Sequence, residues 1–333
     1  MSSTISKKVE ALRPAAMQSV PVRLDQMFDV PDIVIDLIKA RAPYPTLAEY
    51  HHMQDSLGGA QTRPWFRTHF QDELFLQNAR WLQAAKDAFS AQIVRPFKCI
   101  LNLNGPMPAG GVHVDLPVYR GFAAPAAPVW LLMNMTYSGL FQPWMVPIAS
   151  GLAWFYRGVG GEFEYWADGI HAAPRIEPAP MWNTGVMSDN EFMWHGVGAI
   201  GTPEDQKKLS GVLNASDRLH YAGGEAWEIR DGARVVARLS ASQLRISLLW
   251  KAYVFLNDEH LASFESRDMD LTLDQVIDIY QGDLASKGVA VRRPADALND
   301  VQWRKVLEEN YRAAFGQQAT SESYGGSATS TQV

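Results

Sequence analysis

The 333-residue sequence has a single cysteine, Cys99, and only eight histidines. One thiol excludes an intramolecular disulfide and any site built from several thiolates, so a metal centre here has to be made of imidazoles and carboxylates. The same scarcity fits a reducing, cytoplasmic setting. Surplus positive charge is also missing: 30 Lys plus Arg face 36 Asp plus Glu, for a net charge of −6. The chain therefore lacks the broad positive field that a phosphate backbone requires, and nucleic acid is not an expected partner. An uninterrupted apolar run is missing too. Residues 121–156 carry no charge, but Pro125, Pro128, Gly139, Pro143, Pro147 and Gly151 cut them into short pieces. Each piece falls below the roughly 20 residues that a membrane span needs. This stretch is expected to be buried strands joined by turns, with no membrane partner. The N-terminal residues lack the continuous apolar core of a secretory signal, so export is not expected.

What is present is ordinary for a folded protein: 47% hydrophobic and 20% charged residues, enough for a sizeable core. Helical spacing dominates the first hundred residues, in VPDIVIDLIKARAP and from Asp72 to Val94. From Arg95 the pattern turns to short runs rich in β-branched and aromatic residues, punctuated by Gly, Pro and Asn: FKCILNLNG, VWLLMNMTY, LAWFYRG, EFEYWAD, AWEIRDGARVVARL and LRISLLWKAYVF. In the fifth of these, Asp231-Gly232 predicts a tight hairpin. Helix returns at LTLDQVIDIYQGDLASKG and DVQWRKVLEENYRAAFG, and the last residues are too polar to fold. Helices, then many antiparallel strands, then helices make an α+β protein centred on a sandwich or barrel.

Among the histidines, adjacent His51 and His52 diverge by about 100° on a helix and, with His69, read as a solvated face. His171, His220 and His260 have no acidic or histidine neighbour at ligand spacing. His113 and Asp115, in GGVHVDLPVYRG, are two apart, so on an extended strand both side chains leave one face and can meet one ion. His195, in NEFMWHGVG, can supply a second imidazole from a neighbouring strand. Two histidines and one carboxylate on one face of an octahedral ion leave the opposite face open, the arrangement of non-haem Fe(II) enzymes. Arg245 lies in a strand that is otherwise largely apolar, with Ser247 on the same face. A buried guanidinium needs an anion, either one of the protein's own carboxylates or a bound one.

In order, ILNLNGPMPAGGVHVD, GGEFEYWADG, MWHGVG and LRISLLWKAYVF resemble the motifs of the 2-oxoglutarate/Fe(II)-dependent dioxygenases over roughly residues 96 to 256. The resemblance implies a double-stranded β-helix, a jelly-roll or cupin-like core, at residues 96–260. A helical region at 1–95 packs on it, helices follow at 261–316, and 317–333 form a disordered tail. It implies that His113, Asp115 and His195 bind Fe(II), and that Arg245 with Ser247 holds the distal carboxylate of 2-oxoglutarate. The expected reaction is O2-dependent hydroxylation of a small organic molecule, with release of succinate and CO2. Arg245 follows His195 by about 50 residues, farther than in the family, so a lid or hairpin is expected to be inserted at about 202–243. If Arg245 does not return to the core, Arg230, Arg234 or Arg238 becomes the anion partner. Asn102 and Asn104 are candidates for the inner end of the cosubstrate, and Tyr119 and Arg120 for substrate. Trp130, Trp144, Trp154, Trp166, Trp182 and Trp194 read as core; if some line the pocket, the substrate is apolar or aromatic. The alternatives are an iron oxygenase that does not use 2-oxoglutarate, a non-catalytic cupin-like binding protein, and a hydrolase using a metal-activated water. The sequence is silent on oligomeric state.

Overall fold

The computed structural model describes residues 19–51 and 62–312. The expected tail at 317–333, and His52, lie outside the described residues. The chain opens with β1 (Val22–Leu24), α1 (Pro31–Ala40), β2 (Tyr44–Pro45), the single turn α2 (Leu47–Tyr50) and β3 (Trp65–Phe70). Then come α3 (Glu73–Leu76), α4 (Ala79–Phe89) and the long β4 (Ile93–Asn104). The first hundred residues, expected to be mostly helical, thus also supply strands: β1 and β3 are the edges of the main sheet. The helix expected over Asp72–Val94 is divided, because the Asn78 side chain accepts from the amides of Arg80 (3.0 Å) and Trp81 (3.3 Å) and starts a new helix. Its i, i+3, i+4 stripe of Trp81, Ala84, Ala85, Ala88 and Phe89 is buried.

Next are α5 (Val129–Ser138), β5 (Ile148–Tyr156), β6 (Phe163–Tyr165), β7 (Arg175–Glu177), β8 (Met181–Ser188) and β9 (His195–Val197). VWLLMNMTY, expected as a strand, is helix α5. An unbroken apolar run has no readable period, while Leu and Met favour helix, Pro128 precedes the first turn and Gly139 (φ 68°) closes the last. The chain continues through α6 (Pro203–Leu209), β10 (Arg218–Gly223), β11 (Ala226–Asp231), β12 (Arg234–Ser240) and β13 (Arg245–Phe255). It ends with α7 (Asp258–Ser266), α8 (Leu273–Ser286) and α9 (Val301–Leu307). Among the described residues no helix is long and apolar enough to cross a membrane.

Three antiparallel sheets result: β1-β8-β5-β13-β4-β3, β12-β11-β10-β2 and β7-β6-β9. The chain passes back and forth between the first and the third. Their facing sides share a core that includes Trp154, Tyr156, Phe163, Tyr165 and Met181. The second sheet is the segment expected between the two motif strands: a helix and a three-stranded meander, with Asp231 pairing Arg234 across the predicted turn at Gly232 (φ 57°). Leu209, Leu213, Leu219, Trp227, Ile229 and Leu239 bury it in the main core, and Leu219 pairs with Tyr44 of β2.

In the six-stranded sheet, strand alternation separates two faces. The back face carries Cys99, Leu101, Leu103, Ile246, Leu248 and Trp250 against α1 and α4, with Trp250 stacked on Trp81 at 5.7 Å. The front face, toward the three-stranded sheet, carries Arg67, Lys98, Asn102, Asn104, Arg245, Ser247 and Lys251, aligned by the register of β3, β4 and β13.

Candidate metal centre

His113 and Asp115 belong to no regular strand, contrary to the expectation of one. Instead His113 makes an isolated antiparallel bridge to His195, with backbone N–H···O bonds of 2.9 and 2.8 Å in both directions. The Asp115 amide donates to the Asn190 carbonyl at 2.7 Å. These bonds bring together residues from either side of the chain's long excursion through the main sheet. One ligand atom from each of His113, Asp115 and His195 lies within 4.8 Å of the others. The Nε2 atoms of His195 and His113 are 3.6 and 4.0 Å from the same carboxylate oxygen, Asp115 Oδ1.

Each imidazole is oriented from behind. His113 Nδ1 lies 2.9 Å from the Gly111 carbonyl oxygen, and His195 Nδ1 lies 3.0 Å from that of Met193. A carbonyl can only accept, so Nδ1 carries the hydrogen in both rings, and in the neutral imidazole Nε2 is left with its lone pair toward Asp115. Burial, assisted by His195, pushes His113 down to about 4, so its ring is neutral at physiological pH. Burial opposes the ionised form of Asp115, but Lys251 and the two imidazoles outweigh it and hold the carboxyl well below its usual range. The result is two imidazole nitrogens and one carboxylate oxygen facing a common point.

Lys251, on β13, holds the other side of that carboxylate. Its ammonium donates to Asp115 Oδ2 at 2.7 Å and to Glu191 Oε1, and Ser150 Oγ donates to Glu191 Oε2 at 3.2 Å. Burial, with the charges of Asp115 and Asp189, raises Glu191 to about 7. Lys251 went unrecognised in the sequence, although the period that joins Arg245 and Ser247 reaches it in two more steps. Glu191 gave no signal because a loop delivers it.

Arg245 does return to the core: it opens the central strand β13, paired with Asn104. It is 3% exposed, its Nε donates to the Gly161 carbonyl at 2.8 Å, and its Nη2 is buried with no partner. Burial lowers it to about 10, so it stays charged at neutral pH. Ser247 is buried on the same face. Arg230 and Arg238 instead grip Glu228, and Arg234 pairs with Asp231. Asn102 Oδ1 accepts from Trp65 Nε1 (3.0 Å) and Arg67 Nε (2.8 Å). Tyr119 and Arg120 are not at this site: Tyr119 packs in the helical core around α5 and α8, and Arg120 donates to the Ser263 carbonyl at 2.6 Å and meets Asp270. His69 stands on β3 with its ring nitrogens on the Tyr50 hydroxyl, and His51 Nε2 lies 3.3 Å from Arg67 Nη1. Of the six tryptophans, Trp154 lies in register with Ser247 on the front face. Trp130 and Trp144 pack in the helical core.

No protein-family model and no curated protein matches the chain. Solved structures similar to it include an oxidoreductase of the 2OG-Fe(II) oxygenase family from Burkholderia pseudomallei, 14% identical over 76% of this chain and 91% of that one, TM-score 0.37. A Pseudomonas putida prolyl-4-hydroxylase is 12% identical over 74% and 99%, TM-score 0.34. HygX from Streptomyces hygroscopicus, with nickel, 2-oxoglutarate and hygromycin B bound, is 8% identical over 76% and 88%, TM-score 0.38. Likeness at this distance carries no functional argument, which rests instead on the side chains: a His-Asp-His triad with both imidazoles oriented from behind, opposite a sheet face that ends in an unneutralised buried arginine.

Proposed function

We propose that the protein is an Fe(II)- and 2-oxoglutarate-dependent oxygenase that hydroxylates a small organic molecule. The observation that carries this reading is the convergence of His113 Nε2, His195 Nε2 and Asp115 Oδ1, with each Nδ1 tied to a backbone carbonyl. That donor set fits a divalent iron and leaves positions open to other ligands. Arg245 fits the cosubstrate: its orphaned Nη2 is a buried, charged donor of the planar kind that takes a carboxylate, and Ser247 adds a hydroxyl on the same face. The alternation of the chain between the six-stranded and three-stranded sheets supports a double-stranded β-helix as the core, within the proposed catalytic region 96–260.

The bound iron and 2-oxoglutarate would supply O2 activation by oxidative decarboxylation to succinate and CO2. The chain's own part is positional. The Gly111 and Met193 carbonyls keep the two Nε2 atoms bare, Lys251 fixes Asp115 through Oδ2 and leaves Oδ1 to the metal side, and the Phe163 ring packs on His195 with centroids 5.7 Å apart.

The test is an anaerobic titration of the apoprotein with Fe(II) and then 2-oxoglutarate, read by the weak visible charge-transfer band of the chelated pair, with Arg245→Met alongside. A band in the native protein that requires much more 2-oxoglutarate in the variant is expected. Iron binding with no band would favour an oxygenase that does not use 2-oxoglutarate, and no iron binding would reduce the triad to a structural feature.

A further inference from the structure

The front face of the main sheet holds two more cations that no carboxylate neutralises among the described residues, Arg67 on β3 and Lys98 on β4. Register places both on the sheet face that carries Ser247 and Lys251. Arg67 pairs with Asn102, which pairs with Ser247, and Lys98 pairs with Lys251, whose ammonium grips Asp115. The charge of Asp115 acts on both Arg67 and Lys98, whereas Arg245 answers to Tyr156 and Glu162. By register Lys98 lies opposite Lys251 and Arg245 lies opposite Asn104, six residues apart along β4.

Among the described residues, Arg67 is held in place by groups that carry no negative charge. Its Nε donates to Asn102 Oδ1, Nη1 lies 3.3 Å from His51, and the guanidinium sits 5.1 Å from the Trp65 ring centroid and 5.8 Å from that of Tyr50. Such contacts fix an arginine without cancelling its charge. Among the described residues Lys98, half-buried, has no hydrogen bond or ion pair, and it is crowded by the like charges of Lys251 and Arg67. Two cations without a carboxylate partner among the described residues, on one partly buried sheet face, carry an electrostatic cost that an anion lying between them removes.

We propose that Arg67 and Lys98 form a second anion site, separate from that of Arg245, which receives the carboxylate or phosphate of the substrate, so that this protein oxidises an anionic small molecule. The proposal adds a charged group to the substrate, which is expected to be apolar or aromatic only if some of the tryptophans line the pocket. It rests on the oxygenase reading only for what the metal then does to the bound molecule.

The experiment uses the full chain loaded with Mn(II) and saturated with N-oxalylglycine, an unreactive 2-oxoglutarate analogue. Three fluorinated probes are compared by 19F NMR: 4-fluorobenzoate, 4-fluorophenyl phosphate and the neutral 4-fluorobenzamide. Binding is read by saturation transfer from the protein and nearness to the site by Mn(II)-induced broadening. At least one anion is expected to bind and broaden while the amide does not, and which anion does so identifies the group. In Arg67→Met and in Lys98→Met its affinity should fall about tenfold or more, with Arg67→Lys intermediate. Equal binding of the amide, or anion binding indifferent to both Met variants, overturns the proposal. So does loss of N-oxalylglycine in the Arg67 and Lys98 variants with its retention in Arg245→Met, because those cations would then hold the cosubstrate. Saturation transfer that depends on Arg67 and Lys98 without any Mn(II) broadening would keep the anion site and refute the metal centre.

Discussion

The two faces of the six-stranded sheet come from the same strands, residue by alternate residue, yet follow opposite rules. Behind, Trp250, Leu248 and Ile246 close against α4 and its neighbours, with Trp250 fully buried and its Nε1 donating to the Leu76 carbonyl at 3.0 Å. In front, Arg245, Ser247 and Lys251 occupy the intervening positions of the same strand. The back face gains stability from every atom it buries. The front face keeps buried charges that an apolar replacement would match or exceed in stability. The comparison predicts that back-face changes act on stability and spare binding, while front-face changes act on binding and touch stability only where they strand a partner charge.

The largest stability loss is expected from Trp250→Ala, about 3–5 kcal/mol for emptying a packed site, with Fe(II) affinity in the surviving folded fraction unchanged. Thermal unfolding and anaerobic iron titration check the two halves, and a large fall in metal affinity would mean that the faces are not independent. Next is Lys251→Met, which strands Asp115 and Glu191 together. It should cost about 3 kcal/mol and weaken Fe(II) binding by roughly 10- to 100-fold, since the group that orients the carboxylate is gone. Unaltered metal affinity would make Lys251 a purely structural counterion.

How much of this could be read in the sequence follows the same division. Period two on β13 makes Arg245 and Ser247 legible as a pair, and it also contains Lys251; what it cannot give is Lys251's partners, because Asp115 and Glu191 arrive on loops from distant parts of the chain. The His113–Asp115 spacing pointed to two side chains that the structure does bring together, but for a reason that did not hold, since the bridge to His195 rather than a strand of their own positions them. Strand β3 shows alternation in WFRTHF but was submerged in a helical region, and Arg67 went with it. Strands β1 and β2 span only three and two residues; they exist because β8 and β10 offer edges to pair with, which local sequence does not encode. Helix α5 shows the converse, an apolar run whose period is hidden because nearly every side of it is covered.

A smaller effect separates the charges of the front face from one another. Glu191 is raised from 4.5 to about 7 by burial, so folding favours its protonated form. Its contribution to stability is complete below pH 4.5 and is lost as the pH rises through about 7. Relative to Glu191→Gln, the native protein should therefore lose stability across that window, as read from unfolding midpoints of the two proteins at matched pH. A difference that stays flat, or grows in the native protein's favour with pH, would mean that Lys251 holds Glu191 ionised throughout.

The smallest change in stability is expected where the bound ligand matters most. Arg245 is almost fully buried, one of its terminal nitrogens has no partner, and it is anchored to the protein by a hydrogen bond to the Gly161 carbonyl. Replacing it by Met removes a desolvated charge and fills similar space, so the ligand-free protein should unfold at the same temperature or higher. What should disappear is the stabilisation by 2-oxoglutarate, which raises the native midpoint by mass action as long as the site exists. If Arg245→Met instead unfolds at much lower temperature without ligand, the guanidinium is already serving the protein's own carboxylate, with Glu162 the nearest in charge. The front face would then be a structural ion network, and the contrast with the back face would be one of composition alone.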